Sequence, residues 1–519
     1  MPNSTSSGYP WAASLPSAAL DVTGLGIPWS LSILGLITFV SVAVGVKSFV
    51  RRKPEESLYP AVNKTKEEYL FGADNLIAKG LKEYGGKPFR ILTGIDSVTL
   101  LGPRFADDIR NDPRLSSSEF LLGFWQADTP GFEPHISSGS NLLRDVVKTY
   151  LTPGDLAKWS KDLSDEAAAA LKDVLGEDEE WHEISLGAVI PTLVARVSSL
   201  LFLGPELCRD PDWLRVTINY PNKGLAAARV LRTYPRIFRK IVHWFLPCCQ
   251  ELRQMLKDAE SSIQPILQRR REQEAEGAVF HNALSWFEKM AERKQDATAQ
   301  SAAFQQLGLS ILANASSTDL VSQNILDICQ NSDLIEPLRE EIERELGDGW
   351  KTSTLFNMKL LDSVLKETLR LKPIATVGLG RIVKADDFTL SDGSYLPKGT
   401  AVAISSERMW DPAIYPEPRK YDGYRFMKLR ESGDKEGTAQ LCSVSLEHVG
   451  FGLGRQACPG RFMGASSTKL IMCNLLQRYD IKLPESAKAD AAPLRFGFSQ
   501  VVNPKARVMI RRRKVEASS

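Results

Sequence analysis

The pattern of apolar and polar positions divides the chain before any motif is read. Residues 1–26 are rich in Ser, Pro, Gly and Ala. From 27 to 46 the run IPWSLSILGLITFVSVAVGV carries no charge. About twenty such residues match the hydrocarbon thickness of a bilayer, so this run is predicted to be a transmembrane helix. Lys47, Arg51, Arg52 and Lys53 follow at once, while the tail before it carries only Asp21. The positive-inside rule then turns the C-terminal side to the cytosol and leaves 1–26 as a lumenal tail. A cleaved signal peptide would carry its basic cluster on the other side. Asn3 heads a sequon on the lumenal side, where glycosylation is expected. Pro54 and Pro60 stiffen the exit, and 47–62 reads as a basic, proline-containing linker.

Past the linker the periodicity alternates between helix and strand. An amphipathic helix is predicted over roughly 64–84, followed by the strand-like runs PFRILTG and DSVTLLG. Residues 160–210 have the apolar spacing of helices. From Tyr220 to Arg271 the composition shifts. Arg229, Arg232, Arg236, Arg239 and Lys240 interleave with Leu231, Tyr234, Ile237 and Phe238. Such a stretch suits a membrane surface, and equally a solvated helix. Arg269, Arg270 and Arg271 read as solvated surface. Residues 297–330 form one long, mostly apolar helical segment. In LLDSVLKETLRLKP, Glu367 and Arg370 lie three apart and share a helix face. Between 374 and 405, Ser391-Asp392-Gly393 and Pro397-Lys398-Gly399 separate short strands. The last distinctive stretch is 448–464, HVGFGLGRQACPGRFMG, a glycine loop that closes into a helix from Phe462.

Composition narrows the classes. The 519 residues are 43% apolar, enough for a large core, and the net charge of +2 gives no reason to expect a nucleic-acid partner. Seven cysteines, odd in number and without CxxC spacing, argue against a disulfide framework and a structural zinc site. The chemistry therefore falls on single side chains, and Cys458 is the best placed of them. Gly452 and Gly454 let the backbone approach a flat ligand closely. Nearby backbone N–H groups and the helix start after Pro459 favour a sulfur held as thiolate and aimed at a metal.

These residues resemble the haem-binding loop of the cytochrome P450 family of haem-thiolate monooxygenases. The family pattern Phe-x-x-Gly-x-Arg/His-x-Cys-x-Gly is met by Phe451, Gly454, Cys458 and Gly460. Gln456 stands where the family has Arg or His, and Arg455 is the neighbouring cation that would compensate. The resemblance extends over about 55–512. Glu367 and Arg370 match the family's Glu-x-x-Arg pair, and Arg425, in YPEPRKYDGYRF, matches the Arg that completes a structural cluster. Arg381 matches a position that binds a haem propionate, Ile374 to Leu379 a segment lining the substrate pocket, and Arg144 or Lys148 a basic residue on a helix beside the haem. In the long helix, Leu312 and Ala313 fall at small positions, Ala315 at the usual acid position and Ser316 at the distal hydroxyl. Ser317 or Thr318 takes that role if the register shifts. The family breaks the hydrogen-bond ladder there. Asp319, one turn on, either replaces the missing acid or acts as a capping or solvent-facing residue.

The resemblance implies a mainly α fold with small β-sheets: a single haem-thiolate monooxygenase domain over 63–519, behind the transmembrane helix. It implies haem b with Cys458 as axial iron ligand, O2 as co-substrate, and electrons from a membrane-bound NADPH-dependent reductase, with cytochrome b5 as an accessory donor. The wording SDGSYLPKG…MWDPAIYPEPRKYDGYRF is most similar to fungal secondary-metabolism members. That implies a lipophilic terpenoid or polyketide substrate and a single-pass endoplasmic reticulum location with the catalytic domain in the cytosol. Two rivals remain open at this point: a haem-thiolate isomerase or dehydratase needing no reductase, and a non-enzymatic, membrane-tethered haem sensor.

Overall fold

A computed structural model describes residues 58–93, 96–295, 301–347, 349–351, 353–433 and 436–514. The predicted membrane run at 27–46, its basic flank and Asn3 lie outside them. Contacts divide the chain after Pro60, and Ala61–Ser519 forms one compact unit. Ala61 and Val62, assigned above to the linker, already belong to this unit: Ala61 bridges to Arg90, and the Val62 N–H donates to the Arg90 carbonyl at 3.0 Å.

The unit is mainly helical with small sheets. Its first helix, Lys66–Glu83, is capped by the Thr65 hydroxyl, which accepts the Glu68 N–H. The two strand-like runs become an antiparallel pair, Phe89–Leu92 with Ser97–Leu101. They open a five-stranded sheet that continues through Ala401–Ser405 and Val377–Val383 to Leu115–Ser116. A three-stranded sheet joins His182–Ser185, Arg507–Arg512 and Tyr479–Lys482, with the C-terminal strand in the middle.

The long helix predicted over 297–330 spans Ala302–Gln330. The Ser301 hydroxyl caps its start, accepting the Phe304 N–H at 3.4 Å, and the Asn331 amide closes its end on the Asp327 carbonyl at 2.8 Å. It packs against Glu133–Gly139, Leu186–Leu203, Pro247–Ala275, Lys359–Leu371 and Arg461–Arg478. Enclosure on so many sides explains why its apolar pattern is not one-sided. It also buries polar side chains, among them Gln306, Ser322, Gln323 and Asn324. The Leu186–Leu203 helix is long and apolar enough to cross a membrane, but most of it is buried in the core.

Two sequence readings change. Arg270 is not solvated surface. It is buried, donating to Asn282 Oδ1 at 2.9 Å and to the Leu203 carbonyl at 2.5 Å, and it stacks on Phe280. In the basic 229–245 stretch the helix Arg236–Val242 turns outward apolar residues and inward a cation. Ile237, Ile241, Trp244 and Phe245 are exposed, while Arg239 is buried against the Tyr234 carbonyl and Gln126.

Candidate active site around Cys458

The cysteine loop is closed by its own backbone. Gly452 and Gly454 adopt positive φ, 75° and 72°, which L side chains rarely do. The Gly452 N–H reaches the Val449 carbonyl and the Cys458 N–H the Phe451 carbonyl, each at 2.8 Å. The helix Arg461–Arg478 starts immediately after Gly460, and Arg461 donates to the Cys458 carbonyl at 3.0 Å. Burial pushes the Cys458 thiol up from its ordinary value, and the Gly460 N–H and the Arg461 charge only oppose this.

The helix Lys359–Leu371 holds this loop from behind. Arg370 meets Glu367 with two bonds of 2.8 Å, and Arg425 adds one of 3.1 Å to the same carboxylate. Glu367 and Arg370 have no exposed surface. Each guanidinium also reaches backbone carbonyls, Arg370 at Met409 and Pro418, Arg425 at Pro416 and Lys420. The cluster thus ties the 409–425 segment to the helix. A second latch is built from Asp362 and Lys366 of the same helix. Lys366, fully buried, donates to the carbonyls of Thr438, Gln440 and Ser443 at 2.6–3.2 Å, and the Asp362 carboxylate accepts the Leu441 N–H at 2.6 Å and pairs with Lys469. Leu369 then packs against Gly450, where a Cβ would sit 2.8 Å from its Cγ.

Facing the loop is a cavity of about 420 Å³. Phe451, Gln456, Cys458 and Gly460 line one side, and Leu312, Ala313, Ser316, Ser317 and Asp319 of the central helix another. Arg144 lines it as well, and Lys148 does not. Of Ile374 to Leu379 only Ile374 reaches it. Residues that no motif pointed to complete the wall, including Ser117, Ser118, Leu121, Lys372 and Thr468. The first three belong to the short helix Ser117–Trp125.

Other expected residues lie elsewhere. Arg455 has an exposed side chain and anchors through its backbone N–H on Asn111 Oδ1 at 2.7 Å, so the residue reaching the cavity at this step is Gln456. Arg381 is buried beside a bulge in its strand and is absent from the cavity wall. The central helix continues unbroken through 312–316. The Ser316 hydroxyl donates to the Leu312 carbonyl at 3.2 Å, a back-bond that shares this carbonyl instead of opening the ladder. Asp319 is buried, not solvent-facing, and its Oδ1 accepts the Val502 N–H at 2.6 Å.

The donor set suits a flat, anionic, metal-bearing group. At Gly460 and Gly464 a side chain would meet no atom within 4 Å, so the floor beside Cys458 is bare. The Arg381 guanidinium, which burial alone pushes down to about 10, leaves its Nε without a partner. Gln456 Oε1 and Thr468 Oγ1 are likewise buried and unpartnered at the cavity. A soft sulfur with cations nearby fits an iron porphyrin with carboxylate arms.

Comparison with known proteins points the same way. Residues 144–510 match the model of the cytochrome P450 family. The cytochrome P450 monooxygenase hepE of Aspergillus oryzae is 41% identical, over 96% of this chain and 93% of its own length. The cytochrome P450 monooxygenase adrA of Penicillium rubens is 39% identical, over 88% of this chain and 90% of its own. The cytochrome P450 monooxygenase TRI1 of Fusarium sporotrichioides is 35% identical, over 92% and 89%.

Proposed function

The chain belongs to the cytochrome P450 family, and from that premise we propose the particulars of a membrane-bound monooxygenase acting on a lipophilic fungal secondary metabolite, terpenoid or polyketide. The observation that carries this reading is the shared cavity, with the sulfur of Cys458 on one side and the hydroxyl of Ser316 on another.

In this reading the Cys458 sulfur would hold the haem iron, Phe451 and Gly460 would line the floor beneath it, and Gly454 would shape the loop from behind, against Asn111 and Arg110. Arg144, Arg381 and the Gln456 amide are the polar groups for the propionates, while Arg455 acts only through its backbone. Haem, when bound, supplies reductive activation of O2 and insertion of one oxygen atom into a C–H bond. The chain's own part is to bind, orient and protonate. Leu312, Ala313 and Ile374 give the substrate an apolar wall, and Ser316 holds water by its hydroxyl. Glu367, Arg370 and Arg425 keep the cysteine loop in place. Electrons come from a membrane-bound NADPH-dependent reductase, with cytochrome b5 as a second donor. The apolar run at 27–46 anchors the protein in the endoplasmic reticulum with 1–26, and Asn3 with its glycan, in the lumen. The outward apolar side chains at Ile237, Ile241, Trp244 and Phe245 support a second contact with the bilayer.

The isomerase reading drew its motive from the missing acid before Ser316. Asp319 lines the same cavity, which supports the monooxygenase reading over it. The test is Cys458→Ser in the full-length protein. The ferrous–CO complex should lose the red-shifted Soret band of a thiolate haem, and NADPH-driven oxygen consumption with reductase should cease. A variant that kept that band would sink the ligand assignment. Wild-type protein that carries haem and accepts reductase electrons, yet never oxidises an extracted fungal metabolite, would favour the haem sensor.

A further inference from the structure

The helix Pro211–Arg232 carries four cations, and they fall into two kinds. Arg215 meets Asp258 at 2.8 Å and Lys223 pairs with Glu251, so the first two face acids on the helix Pro247–Ala275. Arg229 and Arg232 lie three apart and so on one face. Neither has a carboxylate in bonding distance among the described residues. Each lies over an aromatic ring instead, Arg229 4.8 Å from the centre of Phe496 and Arg232 5.1 Å from that of Phe124. Arg232 Nε also donates to the Ala228 carbonyl at 3.2 Å. Asp74, beside the Phe496 strand, is taken by Arg495 at 2.9 Å, and Asp96 acts on Arg232 only through space. Burial, with the charges of Arg229 and Arg239, pushes the Arg232 guanidinium down from its ordinary value. Tyr69 faces both arginines, with its hydroxyl bonded to the backbone at Phe498.

Both rings belong to elements that also build the cavity wall. Phe124 stands three residues after Leu121 on the helix Ser117–Trp125, and Leu121 lines the cavity. Phe496 belongs to a hairpin that pairs Leu494–Phe496 with Ser499–Val501. That hairpin is tied to the wall at Ile374: Ser499 bridges Ala375, and the Gln500 N–H donates to the Ile374 carbonyl at 3.1 Å. Leu121, Phe124, Ile374 and Val501 are all exposed, so apolar surface lies open between the two cations and the cavity. We propose that Arg229 and Arg232 take the carboxylate of an amphipathic acid substrate, whose apolar body lies along Phe124 and Phe496 and enters the cavity between Leu121 and Ile374. Two planar guanidinium forks match a carboxylate in shape and charge. A bound anion offsets the repulsion among Arg229, Arg232 and Arg239, which the aromatic faces offset only in part. A neutral hydrocarbon or an ester gains nothing from the pair, so the pair selects the acid. The substrate class narrows accordingly, to terpenoid or polyketide acids.

That the bound acid is a substrate rests on the monooxygenase reading; that it binds does not. Full-length, haem-loaded protein in neutral detergent is titrated with dodecanoic, hexadecanoic and dehydroabietic acids and with their methyl esters. Calorimetry and the Soret shift follow binding. At least one acid should bind about tenfold tighter than its ester, and added salt should weaken the acid alone. Arg229→Gln combined with Arg232→Gln should abolish that preference while ester binding and haem content stay as in wild type. Arg229→Lys combined with Arg232→Lys keeps the charges without the forks and should restore part of it. The proposal is overturned if no acid binds better than its ester, or if the preference survives the double Gln change. It is equally overturned if phosphatidylserine vesicles, but not phosphatidylcholine vesicles, abolish the preference in wild type, since the pair would then hold a lipid head group. The preference present without reductase-driven oxygen consumption would leave the anion site standing and refute the monooxygenase reading. Oxygen consumption present without the preference would do the reverse.

Discussion

The two sides of the cavity are built on opposite plans. On the Cys458 side the buried charges are paired with one another and with backbone carbonyls, although Gln456 Oε1, Thr468 Oγ1 and His448 Nδ1 stay open. Glu367 takes bonds from Arg370, Arg425 and the Asp422 N–H, Lys366 fills three carbonyls, and the loop closes on itself. On the central-helix side, beyond Ser316, polar atoms are buried and left open. The first side is a rigid mount, where a lost partner leaves a buried charge. The second carries open polar groups, where a lost hydroxyl leaves no charge unpaired. The difference predicts that mutations on the mount act on folding and cofactor retention, and mutations on the helix act on protons.

The largest effect should come from Glu367→Ala. It leaves Arg370, fully buried, and Arg425 as unpaired cations, at a cost of about 3–5 kcal/mol. Denaturant titration and haem content per chain measure it. Normal yield with full haem would show that the mount is not rigid and would dissolve the comparison.

The same contrast explains what could be read from the sequence. The mount was legible because its parts are invariant in type for physical reasons. Only glycine takes φ near 75° at Gly452, and only arginine offers a fork to a carboxylate while reaching two carbonyls. Spacing alone put Glu367 and Arg370 on one face. The helix side was less legible. Ala315 occupies the expected acid position, and the Asp319 that does reach the cavity looked more apt for capping or solvent than for chemistry. The predicted helix, 297–330, was right in kind and began a turn early, since the cap is at Ser301. Arg270 was misplaced because a run of three arginines looks solvated, and its partners, Asn282 and the Leu203 carbonyl, are distant in sequence. Arg144 and Lys148, one helical turn apart, were separable only once the wall was seen.

A smaller effect tests how tightly the mount is packed. At Gly450 a Cβ would lie 2.8 Å from Leu369 Cγ and 3.0 Å from His448 Cε1. Gly450→Ala should therefore cost about 1–3 kcal/mol, the usual penalty of overpacking. Thermal unfolding of the haem-loaded protein measures it, and Leu369→Ala in the same chain should recover part of the loss. If Gly450→Ala is neutral while Glu367→Ala is not, rigidity resides in the ion cluster and not in the contact between helix and loop.

The smallest effect on stability, and the sharpest on chemistry, belongs to Ser316→Ala. Its hydroxyl bonds only the carbonyl of its own helix at Leu312, a back-bond that slightly disfavours the helix, and alanine is the better helix former. Stability should change by less than about 0.5 kcal/mol. Proton supply is another matter, because help from a positioned general acid is worth about 10²–10⁴-fold. Without the hydroxyl, reducing equivalents should divert to peroxide, seen as hydrogen peroxide per O2 consumed with reductase and NADPH. The helix period sets Ser317 about 100° round from Ser316, yet the cavity is wide enough that Ser317 also lines it. Ser317→Ala is therefore the informative control. Its side chain is buried where that of Ser316 is exposed to the cavity, so it should raise the peroxide ratio less. Equal effects from both would mean that the wall holds water by two hydroxyls. An effect from Ser317→Ala alone would move the distal hydroxyl one residue along the helix. No effect from either would show that neither hydroxyl of this wall holds the distal water.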